Sequence, residues 1–268
     1  MNLLLCIASA TPALFKESTE HALSRAHGPI HVRGFGNGVE LEASCIFAAG
    51  SLGGGDATTV DLLHSPTNLG VPAALHALVG EGAPDDILAY IHDDVHILED
   101  GWDTRVKKTF IDHPNCGLAG FGGGTGIGVG AIYTIPYDLR QVGRHNFYSN
   151  MVNAELHGRR VTQEMRIAST DGFSMILKRE LLTKAGGWAW WPFDIVHHGY
   201  DIGIGCMARR HGYEGWLVPC LVDHKGSRTY AQATYSNLAK TLGGDTAIHA
   251  ASHKFVYDTF RDVLPFTV

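Results

Sequence analysis

The chain has 268 residues, 45% hydrophobic and 18% charged, which excludes a disordered or fibrous protein and leaves enough apolar material for a large core. Its formal net charge of −6 supplies no general attraction to nucleic acid or anionic membranes, and 16 His make that charge sensitive to mild acid. No run approaches the ~20 apolar residues that span a bilayer. The five Cys (6, 45, 116, 206, 220) are widely spaced without a C-x-x-C pair, and read as buried free thiols in a reducing compartment, with the cytoplasm as the expected setting.

In chain order, Leu3 to Ala8 predicts a buried strand and not a signal peptide, because no positive segment precedes it and the apolar run is short. Ala8 and Ser9, at its carboxyl end, are small enough for a flat ligand to approach the backbone; a plain strand-to-helix turn explains them equally well. Glu40 to Ala49 predicts a second strand. Ala49-x-Ser51-x-Gly53 after it loosely copies a nucleophile elbow, but Gly53-Gly54-Gly55 is a poor helix start, so a serine hydrolase is disfavoured. Leu62 and Leu63 suggest a short strand. Asn68-Leu69-Gly70 then leads into a helix carried by Val71, Ala74, Leu75, Leu78 and Val79, with Pro72 in its first turn and Gly80 and Gly82 as its stop.

Ile87 to Ile91 is apolar or aromatic without alternation, as expected of a parallel strand covered on both faces. His92, Asp93 and Asp94 follow at its carboxyl end, where open α/β sheets build their binding crevice. Adjacent acids there repel unless solvated or bridged by a cation; a turn is the plain reading, since Glu99-Asp100-Gly101 turns soon after. Asp103 to Ile111 predicts a helix and Cys116 to Phe121 a strand. The tail of the glycine-rich stretch from Gly122, Gly126-x-Gly128-x-x-Ala131, matches a dinucleotide fingerprint, yet the β-rich Ile132 to Pro136 follows instead of a helix, so the stretch reads as a loop.

Tyr137 to Arg166 has no clear pattern; its Arg140, Arg144, Arg159, Arg160 and Arg166 suit a solvated surface. Phe173 to Leu177 predicts a strand after the turn Ser169 to Gly172, and Lys178 to Ala185 a helix closed by Gly186-Gly187. Trp188, Trp190, Trp191 and Phe193 either plug the core edge or stack on a sugar or base beside His197, His198, Tyr200 and Asp201. Asp201 opens a helix that Gly212 ends, which suits a structural cap or an ionised functional acid. Gly215 to Val222 predicts a strand that delivers Asp223 and His224, and the aromatic C-terminal segment is a candidate cover for the site.

In this order the segments resemble the GT-A fold glycosyltransferases, in particular the family 2-like branch, over roughly residues 60 to 228. The resemblance rests on Asn68-Leu69-Gly70 (N-x-G), His92-Asp93-Asp94 (in the place of D-x-D) and Thr170-Asp171-Gly172-Phe173-Ser174-Met175 with Lys178-Arg179-Glu180-Leu181 and Gly186-Gly187-Trp188. Tyr200-Asp201-Ile202 with Ala208 to Tyr213, and His224, complete it. The departures are His92 for the first Asp, Tyr200 for the usual Glu, Asp56 only beyond three Gly, and no Q-x-x-R-W motif.

The resemblance implies a single α/β domain with a mixed, mostly parallel sheet and helices on both faces. Residues 1–115 would bind the nucleotide sugar, 116–228 would carry the acceptor and catalytic half, and 229–268 would cover them. It implies Asp94 and His224 as ligands of Mn²⁺ or Mg²⁺, a nitrogen ligand favouring Mn²⁺. Asp201 would be the general base of an inverting transfer. Ala8, Ser9, Asn68, His92 and Asp93 would bind the nucleotide sugar, a UDP-sugar foremost, and Asp171, Gly172, Trp190, Trp191 and Tyr200 the acceptor. That acceptor is a saccharide, lipid-linked sugar, metabolite, protein or hydroxylated base in DNA. The rival classes are a metal-dependent sugar-nucleotide hydrolase or nucleotidyltransferase, and a non-catalytic sugar-nucleotide binder.

Overall fold

The computed structural model describes residues 1–42, 59–128, 147–152, 158–226 and 233–268. It opens with β1 (Leu3–Ser9), α1 (Pro12–Ser24), β2 (His31–Asn37), β3 (Thr59–Ser65), α2 (Val71–Ala77), β4 (Ile87–Ile91), β5 (Val95–Ile97), α3 (Trp102–Asp112) and β6 (Cys116–Gly120). Short strands follow: β7 (Gly122–Gly124), β8 (Gly126–Ile127), β9 (Phe147–Ser149), β10 (Met165–Ile167), β11 (Ser169–Thr170) and β12 (Ser174–Lys178). The remainder is α4 (Arg179–Ala185), α5 (Tyr200–Arg210), β13 (Glu214–Leu217), β14 (Val222–His224), α6 (Ala233–Thr241), α7 (Asp245–Thr259) and β15 (Phe266–Thr267).

The eight-stranded sheet has the order β10-β13-β6-β12-β4-β1-β2-β3. Its pairs are parallel from β4 through β1 and β2 to β3 and between β13 and β6; β12 runs antiparallel to both β4 and β6, and β10 antiparallel to β13. This is the mixed, mostly parallel α/β sheet expected. The unbroken apolar runs have a direct cause. Leu3, Leu5 and Ile7 of β1 and Ile87, Ala89 and Ile91 of β4 enter one core with Phe15 of α1 and Val106 of α3, while Leu4, Cys6, Leu88 and Tyr90 enter the other with Leu75, Leu181 and Ile204. Both faces are dry, so alternation is lost.

Several expectations change. Ile87–Ile91 is parallel to β1 alone. The second strand is β2 at His31–Asn37; residues 40–42 belong to no strand, and 43–50, with the elbow-like Ser51 and with Asp56, lie outside the described residues. The glycine-rich stretch is strand from Gly122 to Gly124 and at Gly126–Ile127, paired with β11, β9 and β15; positions 129–131, Arg140 and Arg144 lie outside the described residues. Gly215 to Val222 is two strands, not one. β13 ends in the main sheet at Leu217, the chain passes Pro219, and β14 pairs antiparallel with β5 in a separate two-stranded ribbon. Cys6, Cys116, Cys206 and Cys220 are free and buried, and burial pushes the Cys6 and Cys206 thiols up to about 12. Among the described residues no helix is long and apolar enough to cross a membrane.

Candidate functional site

The carboxyl ends of β1, β2 and β4 open onto a cleft lined by Ala8, Ser9, Asn37, Asn68, Asp93 and Tyr200, among others. Asp93 turns toward β1, where the Ser9 hydroxyl donates to its Oδ2; Ser9 Oγ in turn accepts the Thr11 N–H at 3.0 Å. The Asn37 side chain clamps the segment opposite, accepting the Leu69 N–H at 2.7 Å and donating to the Gly70 carbonyl at 3.2 Å. Asn68 Oδ1 accepts the Gly70 N–H at 2.9 Å, closing a turn in which Gly70 takes φ +80°. A Cβ there would lie 2.6 Å from the Val196 side chain, so only glycine fits.

Asp94 follows in the tight turn between β4 and β5. It is 3% exposed, and its Oδ1 accepts no hydrogen bond. Two imidazole nitrogens approach that atom instead: His224 Nε2, from the end of β14, at 3.3 Å and His92 Nδ1 at 4.0 Å. One ligand atom from each of His92, Asp94 and His224 lies within 4.8 Å of the others. Burial, the largest influence on Asp94, opposes its charge, yet the His224 contact and the two imidazoles outweigh it and hold the carboxyl below its usual range. Burial likewise opposes the charge of His224, but Asp94, with the fields of Asp171 and Asp223, raises its pKa. At His92 burial prevails over Asp94 and its value is lowered. A buried carboxylate oxygen without a hydrogen bond, faced by two imidazoles, is a donor set that could hold a divalent cation accepting nitrogen and oxygen. His92, not Asp93, joins this set.

On the opposite wall, the Tyr200 hydroxyl lies 3.3 Å from His92 Nε2 and below Gly172, where a Cβ would meet it at 2.7 Å. Gly172 and His197 line the cleft with Tyr200. Asp171 is half-buried in the turn before β12 and its Oδ1 accepts the Phe173 N–H at 3.3 Å. Asp201, in the first turn of α5, is 3% exposed and does not line the cleft, although its charge reaches His92.

The tryptophan cluster departs from the acceptor-stacking expectation. Trp191 is 1% exposed and its indole N–H donates to the Ile195 carbonyl at 2.8 Å, so no ring can stack on it. Trp190 packs against Trp188, Phe255 and Phe260, away from the cleft lining. Of the described C-terminal residues, Phe255, Val256 and Phe260 join this aromatic core, Ala239 and Ile248 pack with Val196, and none lines the cleft; Tyr230 lies outside the described residues. Arg179, from the R-E-L-like segment, is a scaffold residue whose guanidinium caps the Val79 and Gly80 carbonyls at the end of α2. Asn37 escaped sequence reading because β2 was misplaced, and His197 figures in it only as a neighbour of the tryptophan cluster, not as a cleft residue.

No protein-family model matches this sequence, and a search of curated proteins finds no match. Solved structures do match. A mannosyltransferase, PcManGT from Pyrobaculum calidifontis, in complex with GDP-Man and Mn²⁺, superimposes with a TM-score of 0.52 at 14% identity, over 98% of this chain and 74% of that one. S. aureus TarS 1–349 gives 0.52 at 10% identity over 98% and 73%, and GalNAc-T7 with UDP, GalNAc and Mn²⁺ gives 0.51 at 10% over 84% and 44%. The fold is GT-A. In GT-A terms, the small residues after β1, the Asn68 turn, the His92-Asp93-Asp94 corner and His224 all converge on one end of the sheet.

Proposed function

We propose that this chain is a metal-dependent, inverting glycosyltransferase that moves a sugar from a nucleoside-diphosphate sugar, UDP-linked foremost, to an acceptor hydroxyl. One observation carries the reading: the His92–Asp94–His224 donor set opens, through His92, on the cleft lined by Ala8, Ser9, Asn68 and Asp93. The GT-A neighbours crystallised with GDP-Man and Mn²⁺ or with UDP and Mn²⁺ support it.

Asp94 and His224, with His92 beside them, would hold Mn²⁺ or Mg²⁺, which when bound offsets the charge that gathers on the departing diphosphate. Asp93, oriented by Ser9, accepts hydroxyls of the nucleotide ribose. The backbone at Ala8 and the turn fixed by Asn37 and Asn68 receive the flat parts of the donor. Tyr200, Gly172 and His197 form the acceptor wall, to which Asp171 contributes charge. Asp201, the base the resemblance implies, takes the proton of the acceptor hydroxyl as its oxygen attacks the anomeric carbon opposite the leaving group; because it is buried outside the cleft lining, this requires the Tyr200–His197 wall to shift and uncover it. A second reading gives that proton to Asp171, which is the more exposed of the two carboxylates.

The test is a thermal-shift screen of UDP-, GDP-, TDP- and CDP-sugars with and without Mn²⁺, followed by nucleotide-release assays with and without acceptors. Mn²⁺-dependent stabilisation with acceptor-dependent release is the expected result. Equal release without acceptor would indicate a hydrolase, and binding without release in every acceptor screen a non-catalytic binder. Asp201→Asn is expected to lose ~10²–10⁴-fold in transfer rate with Mn²⁺-dependent donor binding intact. Should Asp171→Asn show that loss instead, the base is Asp171.

A further inference from the structure

A second group of metal-ligating side chains lies outside the cleft. Glu17 and His21 stand four residues apart on α1, hence on one helix stripe, and His96 is the central residue of β5. Their ligand atoms lie within 4.8 Å of one another. His96 is 5% exposed; its Nε2 is buried 3.2 Å from Glu17 Oε1, yet makes no hydrogen bond. The His21 and His96 rings stack with centroids 4.1 Å apart and planes 9° from parallel. The helix is fixed beneath this group, because Ser18 Oγ donates to the Val95 carbonyl at 2.8 Å. Asp223 and Lys225, from the β14 side, are the other charged groups that act on His96.

A buried imidazole nitrogen without a hydrogen bond has a carboxylate beside it and a second imidazole within reach, whose ring must turn out of its stack to aim a nitrogen at a shared ion. We infer that Glu17, His21 and His96 form a second divalent-cation site, selective for Zn²⁺-class ions, with water as the fourth ligand. Two nitrogens and one oxygen suit a borderline ion better than Mg²⁺ or Ca²⁺, which prefer all-oxygen shells. Tetrahedral Zn²⁺ with bonds of ~2.0–2.1 Å holds its ligand atoms ~3.3 Å apart. To reach that spacing the exposed Glu17 and the half-buried His21 would rotate toward the fixed His96, His21 leaving its ring stack.

The site has a structural consequence. A bound ion joins α1 to β5, the strand that begins directly after Asp94 and pairs with β14, which ends at His224. It therefore adds to the stability of this corner from outside the cleft, without supplying a ligand to the His92–Asp94–His224 set.

The test is Zn²⁺ stoichiometry by chelator competition on the full chain, with Co²⁺ absorption as a geometry probe, for wild type, His21→Gln and Glu17→Gln. Both substitutions fall on the outer stripe of α1 and leave the core intact, which circular dichroism checks. The expected result is that each variant binds one equivalent fewer than wild type and loses a tetrahedral Co²⁺ band, while Mn²⁺-dependent nucleotide binding is unchanged. This holds whether or not the cleft set also takes Zn²⁺, because only the difference is read. Variants that bind as many equivalents as wild type would overturn the inference. So would crystals soaked in Zn²⁺ that show no anomalous peak among the three side chains.

Discussion

Asp94 and His224 hold each other in charged form against their own burial, and this makes opposite pH demands on the metal-free and metal-bound protein. The folded pKa of His224 is raised, so its contribution to stability is complete below ~6.5 and is lost as pH rises through the raised value. That of Asp94 is lowered, so its contribution is complete above ~3.9 and is lost as pH falls through the lowered value. In metal-free protein the melting-temperature gap between wild type and His224→Gln should therefore be widest at roughly pH 4 to 6.5 and shrink toward pH 8. A cation must displace the His224 proton, so Mn²⁺ affinity, measured by titration calorimetry, should fall on acidification from a pH above ~6.5. Asp94→Asn should weaken Mn²⁺ binding and shift that fall to lower pH. Asp94 and the Asp93 beside it were legible because acids directly after an apolar run stand out. Asn37 was not, since an amide that clamps a distant turn leaves no local pattern.

Elements announced themselves according to what they bury. β1 and β4 read clearly because both their faces are apolar, and α2 because its stripe is regular. The unannounced α1 buries Leu14, Phe15, Ser18, Thr19 and Ala22, a face diluted by hydroxyls. The misplaced β2 carries Gly34, where a Cβ would lie 2.6 Å from the Phe15 ring; a residue that lets helix and strand touch looks like a loop in sequence. The break between β13 and β14 was hidden because Val218, Cys220 and Val222 stay buried while the chain changes sheet. The Asn68–Gly70 turn offers a direct check. Gly70→Ala forces a side chain into φ +80° and against Val196, and should cost at least ~1–3 kcal/mol in denaturant unfolding while weakening donor binding.

The two halves expected from the sequence share one sheet, since β12 inserts beside β4 and joins it to β6 and β13. The described C-terminal residues buttress this body: Phe260 is fully buried, edge-on to Trp190, and the Arg210 guanidinium lies over its ring at 4.5 Å. Phe260→Ala should therefore cost ~3–5 kcal/mol in unfolding free energy and leave Mn²⁺ affinity unchanged below the melting range. A cleft lid would behave in the opposite way, losing affinity with little loss of stability.

The proposed transfer depends on a cation held where β4 and β14 bring Asp94 and His224 together. Anomalous diffraction at the manganese edge, from crystals grown with Mn²⁺ and UDP, tests this most directly. The expected result is a peak within bonding distance of Asp94 Oδ1 and His224 Nε2, with diphosphate oxygens completing its shell beside Asp93. A nucleotide bound in the cleft with no peak at Asp94, or a peak only elsewhere, would contradict it.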